Sequence, residues 1–105
     1  MATTFLSIQN GIVFLMAEWS GPAKLAYNDL KCFLEHHRSA LDNLTFIDVD
    51  REPDIYNLPE LSGKIHGWGE VVVVKNGKIG FVTELGKDKS QIQNRYEELL
   101  KIYEA

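Results

Sequence analysis

The side chains of this chain that could do chemistry are few. Cys32 is its one thiol, and His36, His37 and His66 are its imidazoles. A single cysteine excludes an internal disulfide, and it becomes a nucleophile only where a helix N-terminus or a nearby cation lowers its pKa. His36 and His37 are adjacent, so on a helix they point about 100° apart, and His66 sits on a separate loop. Ligands at i and i+4 are missing, so no metal and no cofactor is expected, and His37 is expected to edge the core. Ser20, within Trp19-Ser20-Gly21-Pro22, is the remaining candidate nucleophile, but no general base lies near it in sequence. A helix N-cap explains it fully, with Pro22 in the first turn where a missing N–H costs nothing.

The elements that must position Ser20 are a buried strand and a long helix. Ile12 to Ala17 is continuously apolar after the turn-forming Asn10-Gly11, as a central strand covered on both faces requires. The helix is expected from Ser20 to about Ala40. Its apolar arc holds Ala23, Tyr27, Leu30, Leu34, His37 and Leu41, flanked by Ala26 and Phe33. Leu44 to Val49 reads as a second strand, followed by the turn Asp50-Arg51-Glu52-Pro53 and a helical piece around Asp54 to Leu61. Val71 to Val74 and Ile79 to Leu85 then form an antiparallel pair across Asn76-Gly77, the strongest short hairpin signal. After Gly86, Asp88 or Ser90 is expected to cap a last helix in which Ile92, Tyr96, Leu99 and Tyr103 recur on one face. Thr3 to Gln9 fits one short strand or one helical turn. A βαβ unit followed by a ββα unit predicts an α/β fold, a mixed sheet of about four strands flanked by helices, in one domain over residues 1–105.

Composition narrows the partners. The 15 acidic and 11 basic residues give a net charge of −4 with no basic cluster, which argues against nucleic acid. No apolar run approaches the ~20 residues of a membrane span. Met1 to Asn10 lacks the basic start and apolar core of a secretory signal, so a cytoplasmic location is expected.

The segment Ala17-Glu18-Trp19-Ser20-Gly21-Pro22-Ala23-Lys24 resembles the active-site loop of the thioredoxin family, Trp-Cys-Gly-Pro-Cys-Lys. Lys75-Asn76-Gly77 resembles the end of that family's strand after its cis-proline. The resemblance runs from roughly Gly11 to Tyr103 and implies a thioredoxin-like fold. With ten residues before Gly11, its first strand and helix are expected to be reduced or absent. It also implies four chemical losses. Ser20 and Ala23 stand at the two cysteine positions, Phe14 at the buried acid and Gly69 at the cis-proline. Disulfide exchange needs a thiolate, which a serine hydroxyl does not supply. The peptide before Gly69 is accordingly expected to be trans, and its loop more mobile.

The resemblance therefore implies a redox-inactive protein, not an enzyme, that binds a protein or peptide through the former active-site groove. The groove residues are Trp19, Ser20, Gly21, Pro22, Ala23, Gly67, Trp68 and Gly69. A second copy of the chain is another possible occupant. Against this stand plainer roles: Trp19 packing on its own domain and Trp68 filling space left by the proline. The competing class is an atypical thiol–disulfide oxidoreductase, or a redox-responsive protein, using Cys32. That thiol lies about 18 Å along the helix from Ser20 at 1.5 Å per residue, near the side opposite the apolar arc, where it reads as a bystander.

Overall fold

β1 (Gly11–Met16) runs through the centre of the sheet in the computed structural model, which describes residues 8–17, 21–51, 59–61, 63, 69–85 and 89–105. It pairs in parallel with β2 (Leu44–Asp48), where Phe14 faces Phe46, and antiparallel with β3 (Glu70–Lys75), where Phe14 faces Val71. β3 pairs antiparallel with β4 (Lys78–Glu84), so the four strands lie in the order β2-β1-β3-β4. The continuous apolar run of β1 has its cause in this position. Ile12 and Phe14 enter one buried cluster with the helices, while Val13 and Leu15 enter a second with Ile47, Leu61, Val72 and Val74 on the other face. Each such side chain contributes about 1.5–3 kcal/mol by leaving water.

The hairpin is as the sequence predicts. Asn76 and Gly77 have φ of 55° and 75°, the pair of positive values that a type I′ turn needs to follow strand twist. The turn is tied back to the chain before β1: the Gly77 N–H donates to the Gln9 carbonyl at 2.9 Å and the Asn76 N–H to Asn10 Oδ1 at 3.2 Å. Register then slips by one residue, because Val74 faces Ile79 whereas Val73 faces Phe81. Gly80 is the extra residue of this bulge.

The helix after Gly21 is shorter than expected. α1 covers Gly21–Leu34, and α2 (Arg38–Asp42) follows as a separate turn. The Glu35 N–H bonds Cys32 O at 3.3 Å and the His37 N–H bonds Leu34 O at 2.8 Å, so the end of α1 tightens to i−3 bonding. His37 then leaves helical geometry, with φ −134° and ψ 74°. The reason is packing. In an unbroken helix Ala40 would stand about 240° round from Leu34, away from the core. The break turns it inward, where it is 1% exposed, and leaves His37 and Leu41 half-buried.

α3 (Ile92–Glu104) covers the same sheet face as α1 and buries Tyr96, Leu99, Leu100 and Tyr103. A 3-10 turn, Lys89–Gln91, precedes it. Gln91 is therefore the N-cap and Ser90 lies inside the turn, a correction to its expected capping role; Asp88 falls outside the described residues. Tyr103 ties the helix down: its hydroxyl accepts from Asn43 Nδ2 at 2.8 Å, and its carbonyl accepts from Lys75 Nζ at 2.6 Å. Of the helical piece expected at Asp54 to Leu61, only the 3-10 turn Pro59–Leu61 is described. Of Thr3 to Gln9, only Ile8 and Gln9 are described, and neither is helical or in a strand.

Candidate functional site

The residues expected to mark the site reach one end of the sheet by three routes. Phe14 lies on β1, Ala23 in the first turn of α1, and Gly69 just before β3. Three elements bring them together. A side-chain carbon on Gly69 would stand 2.9 Å from Phe14 Cζ, 3.3 Å from Ala26 Cβ and 3.5 Å from Ala23 Cα. Gly69 also has φ +94°, in the range that L side chains rarely adopt. A proline, locked near φ −65°, does not fit this backbone, and the ring of Phe14 occupies the space its own ring would need. The Gly69 carbonyl accepts the Leu85 N–H at 3.0 Å, which fixes the glycine against the last turn of the sheet.

Phe14 is held firmly in that place. It is fully buried and its ring centroid lies 5.1 Å from that of Tyr27, which in turn meets Phe46 at 5.5 Å. Burial also raises the Tyr27 pKa. Ala23 is fully buried beneath the same contact, whereas Gly21 is exposed and a Cβ there would meet nothing within 4 Å. The spot where the resemblance places two sulfurs, an acid and a cis-proline therefore holds, at Phe14, Ala23 and Gly69, an apolar contact of ring, methyl and bare backbone. Gly21, Pro22, Ala23 and Gly69 lie among the described residues. Trp19, Ser20, Gly67 and Trp68, the peptide bond before Gly69 and His66 lie outside them.

Sequence reasoning passed over Glu70. It is fully buried, next to Gly69, and faces Leu15 on β1 and Glu84 on β4. A charged residue directly before four valines was the available signal. Glu70 does not restore the missing acid. Strand alternation sends Val71 and Val73 to the face of Phe14 and the helices, so Glu70 shares the opposite face with Val72.

Cys32 is exposed, in the last turn of α1 and roughly 14 Å along the axis from Ala23 at 1.5 Å per residue. It does not lie opposite the packed side of the helix, as expected, but at its edge, on a cleft shared with α3. His37 edges the core beside Phe33, the ring centroids 5.2 Å apart, and His36 is exposed. Among the described residues no cluster of three His, Cys, Asp or Glu could hold a metal ion, and no helix is long and apolar enough to cross a membrane.

No protein-family model matches this sequence, and no curated protein matches it at a significant level. Solved structures do. Mitochondrial thioredoxin 3 from Saccharomyces cerevisiae superposes with a TM-score of 0.63 at 18% identity, over 92% of this chain and 85% of its own. A Plasmodium falciparum thioredoxin gives 0.63 at 20% identity, over 92% and 88%. A chloroplastic thioredoxin z gives 0.60 at 26% identity, over 89% and 80%. Superposing over most of its length on these neighbours, the chain is a thioredoxin-like protein in fold.

Proposed function

We propose that this protein is a redox-inactive relative of thioredoxins that binds a protein or peptide segment through the former active-site groove. The supporting observation is the contact of Phe14, Ala23 and Gly69. This contact supplies neither a resolving thiol nor a proton-transfer acid, and it holds the first turn of α1 and the approach to β3 against each other. In that frame Gly21 stays exposed at the helix start, where a partner backbone can approach closely. Trp19 and Trp68 supply aromatic contact area of the kind enriched at binding hot spots, and Ser20, Pro22 and Gly67 complete the groove. The partner pairs with loop backbone as an added strand. The chloroplastic thioredoxin z among its structural neighbours is described for type-specific target recognition, a use of this fold consistent with the reading. The protein acts in the cytoplasm without a cofactor.

Partner capture with quantitative mass spectrometry, comparing the native protein with a folded Trp19→Ala/Trp68→Ala variant, tests this. Specific proteins lost with the double variant are expected; identical profiles reject the groove. Sedimentation identifies a second copy as the occupant if a dimer dissociates in Trp68→Ala. Insulin reduction tests the competing class: no turnover is expected, and turnover abolished by Cys32→Ser would make the protein an oxidoreductase.

A further inference from the structure

The sheet ends in two unlike edges. β4, on one side, carries Lys78 and the bulge at Gly80, features that discourage pairing with a further strand. β2, on the other, has no lysine, proline or bulge, and its register with β1 is unbroken from Leu44 to Asp48. Two flanking bonds fix which of its backbone groups face outward. The Ile12 N–H donates to the Asn43 carbonyl at 3.1 Å and the Val49 N–H to the Met16 carbonyl at 2.9 Å, so the odd-numbered residues of this stretch turn their backbone to β1. The N–H and C=O groups of Leu44, Phe46 and Asp48 therefore point away from the sheet, and no described strand pairs with them. Phe46, in the middle of this row, is 52% exposed. Its side chain lies on the helix face, where the Tyr27 ring meets it edge-on at 5.5 Å and Lys31 Nζ stands 5.5 Å from the centre of the Tyr27 ring.

We propose that β2 pairs antiparallel with β2 of a second copy of this chain, about a two-fold axis at Phe46, so that the two sheets become one continuous sheet. The strand is self-complementary in backbone, in apolar surface and in charge. With Phe46 opposite the partner's Phe46, Leu44 falls opposite the partner's Asp48, and every outward-facing residue meets an outward-facing one. The two Phe46 residues then exchange N–H to C=O bonds, and each Asp48 N–H donates to the other copy's Leu44 carbonyl. The Asp48 carbonyl is not needed, since it already accepts the Arg51 N–H at 3.0 Å. The two exposed rings meet across the axis as an aromatic cross-strand pair. Charge fits the same register. α1 leaves the end of β1 and returns to the start of β2, so it runs opposite to β2, and Lys31, one turn beyond Tyr27, stands beside the Leu44 end. That end meets the far end of the partner's strand, where the carboxylates of Asp48 and Asp50 outnumber the guanidinium of Arg51. Lys31 of each copy thus faces the acidic end of the other, and no like charges fall directly opposite along the strands.

The test is sedimentation equilibrium of the full chain from about 10 μM to 1 mM, the range in which so small a contact associates. A monomer–dimer equilibrium is expected. Phe46→Lys sets like charges face to face at the axis and should weaken association about tenfold or more, with the circular dichroism of the monomer unchanged. Lys31→Glu should weaken it about two- to fivefold, the scale of a screened ion pair. Crosslinking on a Cys32→Ser background reads the register. Position 46 faces itself at a Cα separation of about 5.5 Å, within disulfide reach. Phe46→Cys should therefore oxidise to a covalent dimer several-fold faster than Thr45→Cys, which is also exposed but faces Ile47 of the other copy. A chain that stays monomeric throughout the range, a dimer indifferent to Phe46→Lys or dissociated by Trp68→Ala, or equal crosslinking at positions 45 and 46 would overturn the proposal.

Discussion

Gly69→Ala should be among the most damaging small substitutions in this protein. Two separate costs add. At φ +94° a side chain carries backbone strain of about 1–3 kcal/mol. Its Cβ would also stand 2.9 Å from Phe14 Cζ. A ring tip can swing aside on a surface, but Phe14 is fully buried and braced by Tyr27, so relief requires moving the packed core, about 1–3 kcal/mol more. The expected loss is about 2–5 kcal/mol, read as a fall in the urea midpoint at unchanged slope. Phe14→Leu removes the clashing carbon. In a double-mutant cycle Gly69→Ala/Phe14→Leu should therefore be less unstable than the sum of the singles by about 1–3 kcal/mol. Gly21→Ala serves as the control: it meets no neighbour and sits at a helix start, so it should change stability by less than about 1 kcal/mol. A neutral Gly69→Ala, or strict additivity with Phe14→Leu, would refute the contact on which the functional reading rests.

Other perturbations give independent checks. Tyr96 keeps its proton to about pH 12 when folded but ionises near 10 when unfolded, so the unfolded state binds fewer protons between those values. Stability should fall as pH rises through that window, and Tyr96→Phe should flatten the fall in alkaline denaturation curves; an unchanged slope would contradict it. Tyr103→Phe removes the acceptor of Asn43 Nδ2 and should cost about 0.5–1.5 kcal/mol in chemical denaturation, with loss of more than twice that pointing to packing instead. Ser20→Cys/Ala23→Cys should form a disulfide yet reduce insulin roughly 10²-fold more slowly than a thioredoxin, because Phe14 offers no proton to the buried thiol. A rate equal to a thioredoxin's would show that the lost acid is dispensable here.

How far the molecule was legible from its residues varied with the kind of signal. Strands and hairpin were readable because their signals are local: the apolar run of β1, the four valines of β3, and Asn76-Gly77 with its two positive φ angles. The break after Leu34 was hidden, because Leu41 falls on the same arc as Leu34 at 100° per residue, and a periodic pattern cannot show that Ala40 will be turned inward. The bulge at Gly80 was equally invisible, since it depends on register with β3. At the site, alignment on Lys75-Asn76-Gly77 placed Gly69 opposite Ala23, and the contact between them agrees. Sequence alone did not reveal what stands against Gly69: it is Phe14, far away in the chain and reached only through the sheet. Glu70 escaped notice because its burial comes from the strands beside it, and Cys32 joins a cleft only because α3 packs along the edge of α1.

The central claim is that a frame once suited to disulfide exchange now holds a polypeptide ligand without reacting with it. Amide shift mapping by heteronuclear NMR, titrating a segment of the captured partner into the labelled protein, tests this most directly. Shifts centred on Gly21, Ala23 and Gly69, abolished in Trp19→Ala/Trp68→Ala with the fold intact, are the predicted result. Shifts confined to other faces, with equal affinity for both forms, would contradict it.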